Sequence, residues 1–489
     1  MCGCDDSPLN WIFISVNVQF SSLSFFPYDR YLFWPLLNAV LLLTLLYPND
    51  SQPLVFRPHY PGGSQLNLNE QEARILATSP GCTVLLVESM PENLTYSWGS
   101  PKHASTYFAW NLLLDEAKTR LNIASFYWSL LAEPNFNFSA VEQGQAIFKK
   151  LLDKSKAVNV TIAQSGPKTN SSELDRMAAA GAQIHWVDVE HLLGRGVLHT
   201  KLWSVDDRHG YLGSANMDWR SLTEVKELGA LFVNCPELVS DLDKIHSAYC
   251  VVANGLPDTW PDNLKTGHNH SNPMQISING IPSSVYFASS PIAFNPPGRT
   301  SDLDAIMRTI ERARKFIYIS VMDYSPEIVS YDTNQSLEYW PVIDDALRTA
   351  SLNRDVEVRL LISRWSHSAR SALNYLSSLR ALHGIRGSRL RVRYFVVPSF
   401  TAEQQSIPYA RVNHNKYMVT DRTAYIGTSN WSGDYFLYAG GASFVIEEQE
   451  NYTCNDDILQ HPDSSPKSIR IQLTDIFLRD WNSEYSFEL

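Results

Sequence analysis

Residues 197–221 read VLHTKLWSVDDRHGYLGSANMDWRS, and residues 412–435 read VNHNKYMVTDRTAYIGTSNWSGDY. Both contain H-x-K-x4-D followed by G-[ST]-x-N: His199, Lys201, Asp206, Gly213, Ser214 and Asn216 in the first, His414, Lys416, Asp421, Gly427, Thr428 and Asn430 in the second. Apolar residues surround each H-x-K, and a polar turn at Asp206-Asp207-Arg208 or Thr420-Asp421-Arg422 follows. Each stretch therefore predicts a β-hairpin that returns as YLGSA or YIGTS. Residues two apart on a strand share a face, so the His and Lys of each motif project together. Each Asp falls an odd number of residues beyond its Lys, which assigns Asp206 and Asp421 to structural pairing with backbone or basic groups near the turn. A single H-x-K is nearly always an ordinary surface or core feature. Two full copies about 215 residues apart are different in kind.

The residue types suit one chemistry. A phosphodiester needs a nucleophile, an acid for the leaving oxygen, and positive charge around the phosphoryl oxygens. One unprotonated imidazole can attack phosphorus while a protonated one donates to the leaving group. Lys201 and Lys416 supply the charge that a metal ion would otherwise provide. Gly213 and Gly427 are expected to permit a tight backbone path, letting Ser214, Thr428 and the Asn216 and Asn430 amides reach phosphate oxygens. Glu227, in VKELG, has two readings: it orients an active-site histidine through the second ring nitrogen, or it pairs with Lys226. His209 and His367 read as loop or surface residues. Tyr127, Trp128 and Tyr324 read as core and not as base-stacking platforms. No H-E-x-x-H or paired C-x-x-C pattern occurs, so neither a metal site nor a cofactor is expected.

Outward from the motifs, strand and helix signals alternate. Strands are expected at 84–88, 121–128, 158–163 and 183–187, with helices at 109–120, 143–155 and 172–180. After a Pro-, Asn- and His-rich stretch near 254–273 the pattern restarts, with strands at 285–289, 315–322, 356–362 and 390–397 and helices at 302–314, 340–351 and 368–382. LNIASFYW and KFIYISVMDY each follow a helix, which points to an internal duplication. The fold class is α/β: two similar α/β/α halves, with mixed sheets flanked by helices, meeting about a pseudo-twofold with the active site at their interface. The expected divisions are an N-terminal tail over 1–50, a first half over 51–255, a linker over 256–275 and a second half over 276–489.

At 489 residues, 44% hydrophobic and 19% charged, the chain is a folded protein too long for one ordinary core. A net charge of −11 argues against binding nucleic acid by bulk attraction, though not against a small basic site that engages a strand end. Tyr31–Tyr47 (YLFWPLLNAVLLLTLLY) predicts a signal-anchor with the C-terminal bulk in a lumen, and a buried N-terminal helix is the alternative. Glycan acceptors at Asn93, Asn137, Asn170 and Asn269 agree with the lumenal reading.

The paired motifs are the signature of the phospholipase D superfamily, with Thr428 where the pattern usually has serine. ASFYWSL, GVLHTKLW, GSANMDWRSLTEVKELG, RLLISRWSHS, IPYARVNHNKYMVTDR, YIGTSNWSGDYF and IFLRDWNSEYS closely resemble the lumenal domains of its phospholipase D3 and D4 branch, from about Val84 onward. The resemblance implies a disulfide between Cys82 and Cys235. It implies a single-pass type II protein of the endoplasmic reticulum, Golgi, endosome and lysosome, with a soluble lysosomal form produced by cleavage. The activity it implies is 5′-to-3′ exonuclease action on single-stranded DNA and RNA ends, with His199 as nucleophile, His414 as general acid and 3′-phosphorylated nucleotides as products. The same chemistry serves a phospholipase or transphosphatidylase that forms bis(monoacylglycero)phosphate, so phospholipid is the second substrate class, and a homodimer the further assembly. A catalytically dead receptor would need a broken motif, and neither is broken.

Overall fold

A computed structural model describes residues 81–489, apart from 135, 137–138, 329–337 and 450–467. The tail and the signal-anchor expected at Tyr31–Tyr47 lie outside the described residues, as does the acceptor Asn137. Among the described residues no helix is long and apolar enough to cross a membrane.

The first half is built from β1 (Thr83–Ser89), β2 (Ala104–Ser105), α1 (Thr106–Glu116), β3 (Arg120–Ser125), α2 (Glu142–Ser155), β4 (Asn159–Ser165), α3 (Ser172–Ala179), β5 (Gln183–Val187), β6 (Leu202–Val205), β7 (His209–Gly213), β8 (Glu227–Val233) and α4 (Pro236–Val252). Its strands lie in the order β2-β1-β8-β7-β6-β3-β4-β5. The second half comprises β9 (Met274–Ile278), β10 (Ile281–Ser290), β11 (Thr300–Ser301), α5 (Asp302–Arg312), β12 (Phe316–Val321), α6 (Val342–Arg354), β13 (Glu357–Ser363), α7 (Arg370–Arg380), β14 (Leu390–Phe395), β15 (Lys416–Thr420), β16 (Thr423–Gly427), β17 (Gly441–Glu448), α8 (Ile469–Trp481) and β18 (Ser486–Glu488). Its order is β9-β10-β17-β16-β15-β12-β13-β14-β18, with β11 on β10. Without the edge strands β9 and β18 the two sheets have the same order. They also share the same pairing sense, antiparallel through the hairpins and parallel from β3 to β5 or β12 to β14. The duplication expected from sequence is thus explicit in topology.

Local chemistry fixes the matching elements. Ser105 and Ser301 cap α1 and α5 by accepting from Phe108 N and Asp304 N, each from a strand residue one step before the helix. Apolar residues of each sheet's outer face pack under α1 and α2, or under α5 and α6. The inner faces share one core with α4 and α8, in which Phe232, Phe287 and Phe444 form a ring triangle with centroids 5.0–5.7 Å apart. That shared core welds the halves.

Two of the boundaries that differ from expectation have a clear cause. The helix expected to reach Arg120 stops at Glu116, because the carboxylate of Asp206 takes the N–H groups of Lys118, Thr119 and Arg120. The second half begins at Met274, inside the stretch assigned to the linker, because Met274–Ile278 pairs with Ile281–Val285 as a hairpin.

Cys82 and Cys235 form a disulfide that closes a 153-residue span and joins the start of β1 to the start of α4. Loss of so long a cross-link costs about 2–5 kcal/mol, chiefly by freeing the unfolded chain. The Cys82→Ala/Cys235→Ala protein is expected to unfold at lower urea concentration than the parent. An unchanged midpoint would contradict this.

Candidate active site

Each H-x-K is clasped by the opposite half. His199 N donates to Gly440 O (2.7 Å) and Gly440 N to Val197 O (2.9 Å). His414 N donates to Lys226 O (2.7 Å) and Lys226 N to Val412 O (2.9 Å). These short parallel bridges lie just before β17 and β8, so the same pair of hydrogen bonds repeats across the pseudo-twofold. Both histidines and both lysines are buried at this junction, His199 5% and His414 8% exposed.

The imidazoles are held differently. His199 Nδ1 lies 2.9 Å from the carbonyl oxygen of Thr428. A carbonyl only accepts, so Nδ1 carries the proton and Nε2 presents its lone pair. Burial, Lys201 and Lys416 hold the ring well below the ordinary histidine range, so it stays unprotonated. His414 Nδ1 lies 2.7 Å from Glu227 Oε2. Burial and the lysines pull His414 down to about 4 even though Glu227 pulls it up. Glu227 itself stays low: burial raises it, but His414 and Lys416 outweigh that. A carboxylate behind the ring favours the imidazolium once a phosphate anion arrives. Of the two readings of Glu227, the geometry selects contact with a histidine. Lys226 pairs instead with Asp480 (2.8 Å) and Glu88 (3.6 Å), in a buried cluster completed by Arg479.

The second half has no such carboxylate. Gly441 occupies in β17 the place of Glu227 in β8, as the registers of Gly229 on Gly213 and Ser443 on Gly427 show. A Cβ on Gly441 would fall 2.8 Å from Ser290 Oγ and closer still to Ser429 Oγ. The space is already filled.

Lys201 Nζ donates to His199 O (2.5 Å) and Lys416 Nζ to His414 O (2.8 Å), which sets each ammonium beside its own histidine. Burial and their mutual repulsion hold Lys201 well below the usual lysine range, and burial brings Lys416 to about 7 against the pull of Glu227 and Asp323. Two cations kept out of water are a prepared site for an anion. Asn216 Nδ2 donates to Tyr127 Oη (3.4 Å), and Asn430 Nδ2 to Tyr435 Oη (3.2 Å) and Asp323 (3.4 Å). The Oδ1 atoms of both asparagines are buried with no hydrogen-bond partner among the described residues.

Other residues stand elsewhere than expected. The Ser214 hydroxyl accepts from Leu228 N (3.0 Å), and that of Thr428 from Ala442 N (3.0 Å). Both therefore tie the hairpin to β8 or β17 and do not reach toward phosphate, since the sheet's own backbone groups claim them. Gly213 and Gly427 avoid collisions with the rings of Tyr211 and Tyr425 two residues earlier. Asp206 gathers three backbone N–H groups and the Thr119 hydroxyl, and Asp421 the N–H groups of Arg314 and Lys315. Burial works against ionisation of both, yet these bonds hold them below the usual carboxyl range. Both carboxylates sit at the far end of the hairpin.

Sequence reasoning missed the aromatic surround. Phe126 and Tyr435 flank the His199 ring at 5.2 and 5.0 Å. Phe126, Tyr127 and Trp128 line a cavity of about 490 Å³ together with Gln164, Ser165 and Asn170. Tyr127 and Trp128 thus face space that was read as core. Tyr324 is core, bonded to Asp344 (2.7 Å). The signal was present in the repeat: with Leu121 and Ile317 in equivalent registers, Tyr127 and Asp323 fall at matching positions, each beside its half's asparagine.

Comparison with known proteins identifies the family. Residues 97–400 match the family described as PLD3/4, PLD-like domain. The chain is 42% identical over 454 residues to the 5'-3' exonuclease PLD3 of Xenopus tropicalis, covering 91% of this chain and 89% of that protein. It is 45% identical to the human 5'-3' exonuclease PLD3 over 83% of this chain and 81% of that one, and 42% identical to the mouse 5'-3' exonuclease PLD4 over 83% and 80%. With two complete motifs meeting at one junction and this extent of identity, the chain belongs to the PLD3/4 family of phospholipase D-like proteins.

Proposed function

We propose that the chain is a phosphodiesterase that removes nucleotides from the 5′ end of single-stranded DNA and RNA through a phosphohistidine. The unequal histidine pair carries this reading: one ring fixed as a free base by a carbonyl, the other backed by a carboxylate. His199 Nε2 attacks phosphorus while His414 gives its Nε2 proton to the departing 5′ oxygen of the remaining strand. Lys201 and Lys416 neutralise the non-bridging oxygens, and Asn216 and Asn430 help to position them. His414, now neutral, then takes a proton from the water that breaks the P–N bond, and a 3′-phosphorylated nucleotide leaves. The cavity beside Phe126 is large enough for one terminal nucleoside, which supports action from an end. The buried, lowered His199 and His414 support work in acid, and the disulfide and the exposed acceptors Asn93 and Asn170 support an endolysosomal lumen.

The test is degradation of a 3′-labelled, 5′-hydroxyl single strand in EDTA, beside its 5′-phosphorylated, duplex and circular forms and a diacyl phospholipid. The expected result is stepwise loss from the 5′ end, with the other nucleic acids cut far more slowly and the phospholipid left intact. A 5′ phosphate should crowd a site whose cations already serve the scissile group. Loss from the 3′ end, equal cutting of circles, a need for a divalent ion, or turnover of the lipid in place of the strand would each overturn the reading.

A further inference from the structure

The function above leaves one exposed aromatic run unexplained. After β13 the chain continues as Arg364-Trp365-Ser366-His367. The Trp365 and His367 rings lie 4.7 Å apart, and His367 stacks on Tyr409 at 4.8 Å with planes 19° apart. The stack ends in the open, since His367 is exposed and Tyr409 is 63% exposed, among the largest exposed apolar side chains described.

Several features hold it there. Tyr409 has φ of +55°, a left-handed conformation rarely adopted by an aromatic residue and costing roughly 1–3 kcal/mol. Arg220 of the first half, itself on Asp218 (2.9 Å), donates to the carbonyl of the preceding Pro408 (3.1 Å). The Ser363 hydroxyl at the end of β13 donates to Asn413 O, which binds the loop carrying Trp365 and His367 to the run that enters the active site. Tyr409 is only five residues before His414, at most about 18 Å along the chain. The stack is therefore held by both halves, and Arg220 also donates to Ser129 Oγ (3.3 Å), which lines the nucleoside-sized cavity.

We infer that Trp365, His367 and Tyr409 form a stacking platform for the bases of the strand downstream of the cut. This rests on the exonuclease reading. The leaving 5′ oxygen departs on the His414 side, and the exposed face of Tyr409, five residues earlier in the chain and next to the cavity's rim, is placed to receive the strand that follows. A base that stacks there extends a pile of flat rings already two deep, without sequence preference. Arg364 at the start of this loop and Arg370 at the start of α7 are exposed and can meet the strand's phosphates, local positive charge on a chain of net charge −11.

The test compares the parent with Tyr409→Ala, Tyr409→Phe and His367→Ala. Substrates are bis(p-nitrophenyl) phosphate, which cannot reach the platform, and 5′-hydroxyl oligodeoxythymidylates of two and twelve nucleotides. Tyr409→Ala is expected to raise KM for the twelve-mer about 10- to 100-fold, with kcat and the aryl ester rate unchanged. His367→Ala follows it more weakly, Tyr409→Phe behaves as the parent, and the dinucleotide is affected less than the twelve-mer. Equal loss on the aryl ester, equal loss in Tyr409→Phe, or an unchanged KM for the twelve-mer in Tyr409→Ala would overturn the platform. Failure of the exonuclease reading would look different, because the parent itself would not shorten the twelve-mer. Thermal melting of each variant separates misfolding from lost contact, and Tyr409→Trp, which keeps a ring, is expected to bind at least as well as the parent.

Discussion

Replacement of His199 by alanine is expected to lower turnover of single strands by at least about ten-thousand-fold, because the one imidazole left at the junction, His414, would have to both attack phosphorus and protonate the leaving oxygen. His414→Ala should lose a similar factor on natural substrates, whose alkoxide leaving group needs a proton. The two variants separate on an aryl ester such as bis(p-nitrophenyl) phosphate, whose phenolate leaves unaided. His414→Ala should then phosphorylate His199 and stall, since the base that activates water for the second step is gone. His199→Ala should form no adduct at all. Alkaline quenching, which preserves phosphohistidine, followed by peptide mass measurement reads the result. An adduct on His414 in the His199→Ala protein would reverse the roles. Adduct on neither would remove the covalent mechanism.

Glu227→Gln should cost about a hundred- to ten-thousand-fold in kcat on single strands, with a smaller effect on the aryl ester's first step. Glutamine keeps an oxygen that can accept from His414 Nδ1, so the change removes charge more than contact. Burial already brings His414 to about 4 against the pull of Glu227. Without the carboxylate, burial and the two lysines act alone and the pKa falls further. The acid must be protonated to work, so the limb along which activity declines as pH rises moves to lower pH in the variant. A limb that stays in place with a lower plateau would show that Glu227 only packs against the ring. His199, held well below the ordinary histidine range, works in its neutral form, so its protonation belongs to the acid limb and not to this one.

The hairpins, the repeat and the odd placement of Asp206 and Asp421 were legible because each depends on residues close in sequence. Period two put His and Lys on one face, and a turn motif followed each. The failures share a different cause. The end of α1 is set by a carboxylate 86 to 88 residues away, and the hydroxyls of Ser214 and Thr428 are claimed by strands that follow the motif by 14 residues. Phe126 and Tyr435 meet only at His199, one from each half. Glu227 stood between two partners in the sequence, and the distinction needed a histidine 187 residues on. Residue types announced the chemistry, while the partners that tune it came from across the junction.

Gly441 has a consequence for the ancestry of the scaffold. If two copies of the first half paired with each other, both histidines would have a carboxylate behind them. Two copies of the second half would leave both without one, and the crowding at Gly441 bars a simple repair. In either self-paired assembly the rings are interchangeable, so which one attacks and which one donates would be settled afresh at each encounter. Covalent fusion lets a mutation reach one ring and spare the other. The single glutamate thus breaks a degeneracy that the backbone still displays, and gives the junction a front and a back.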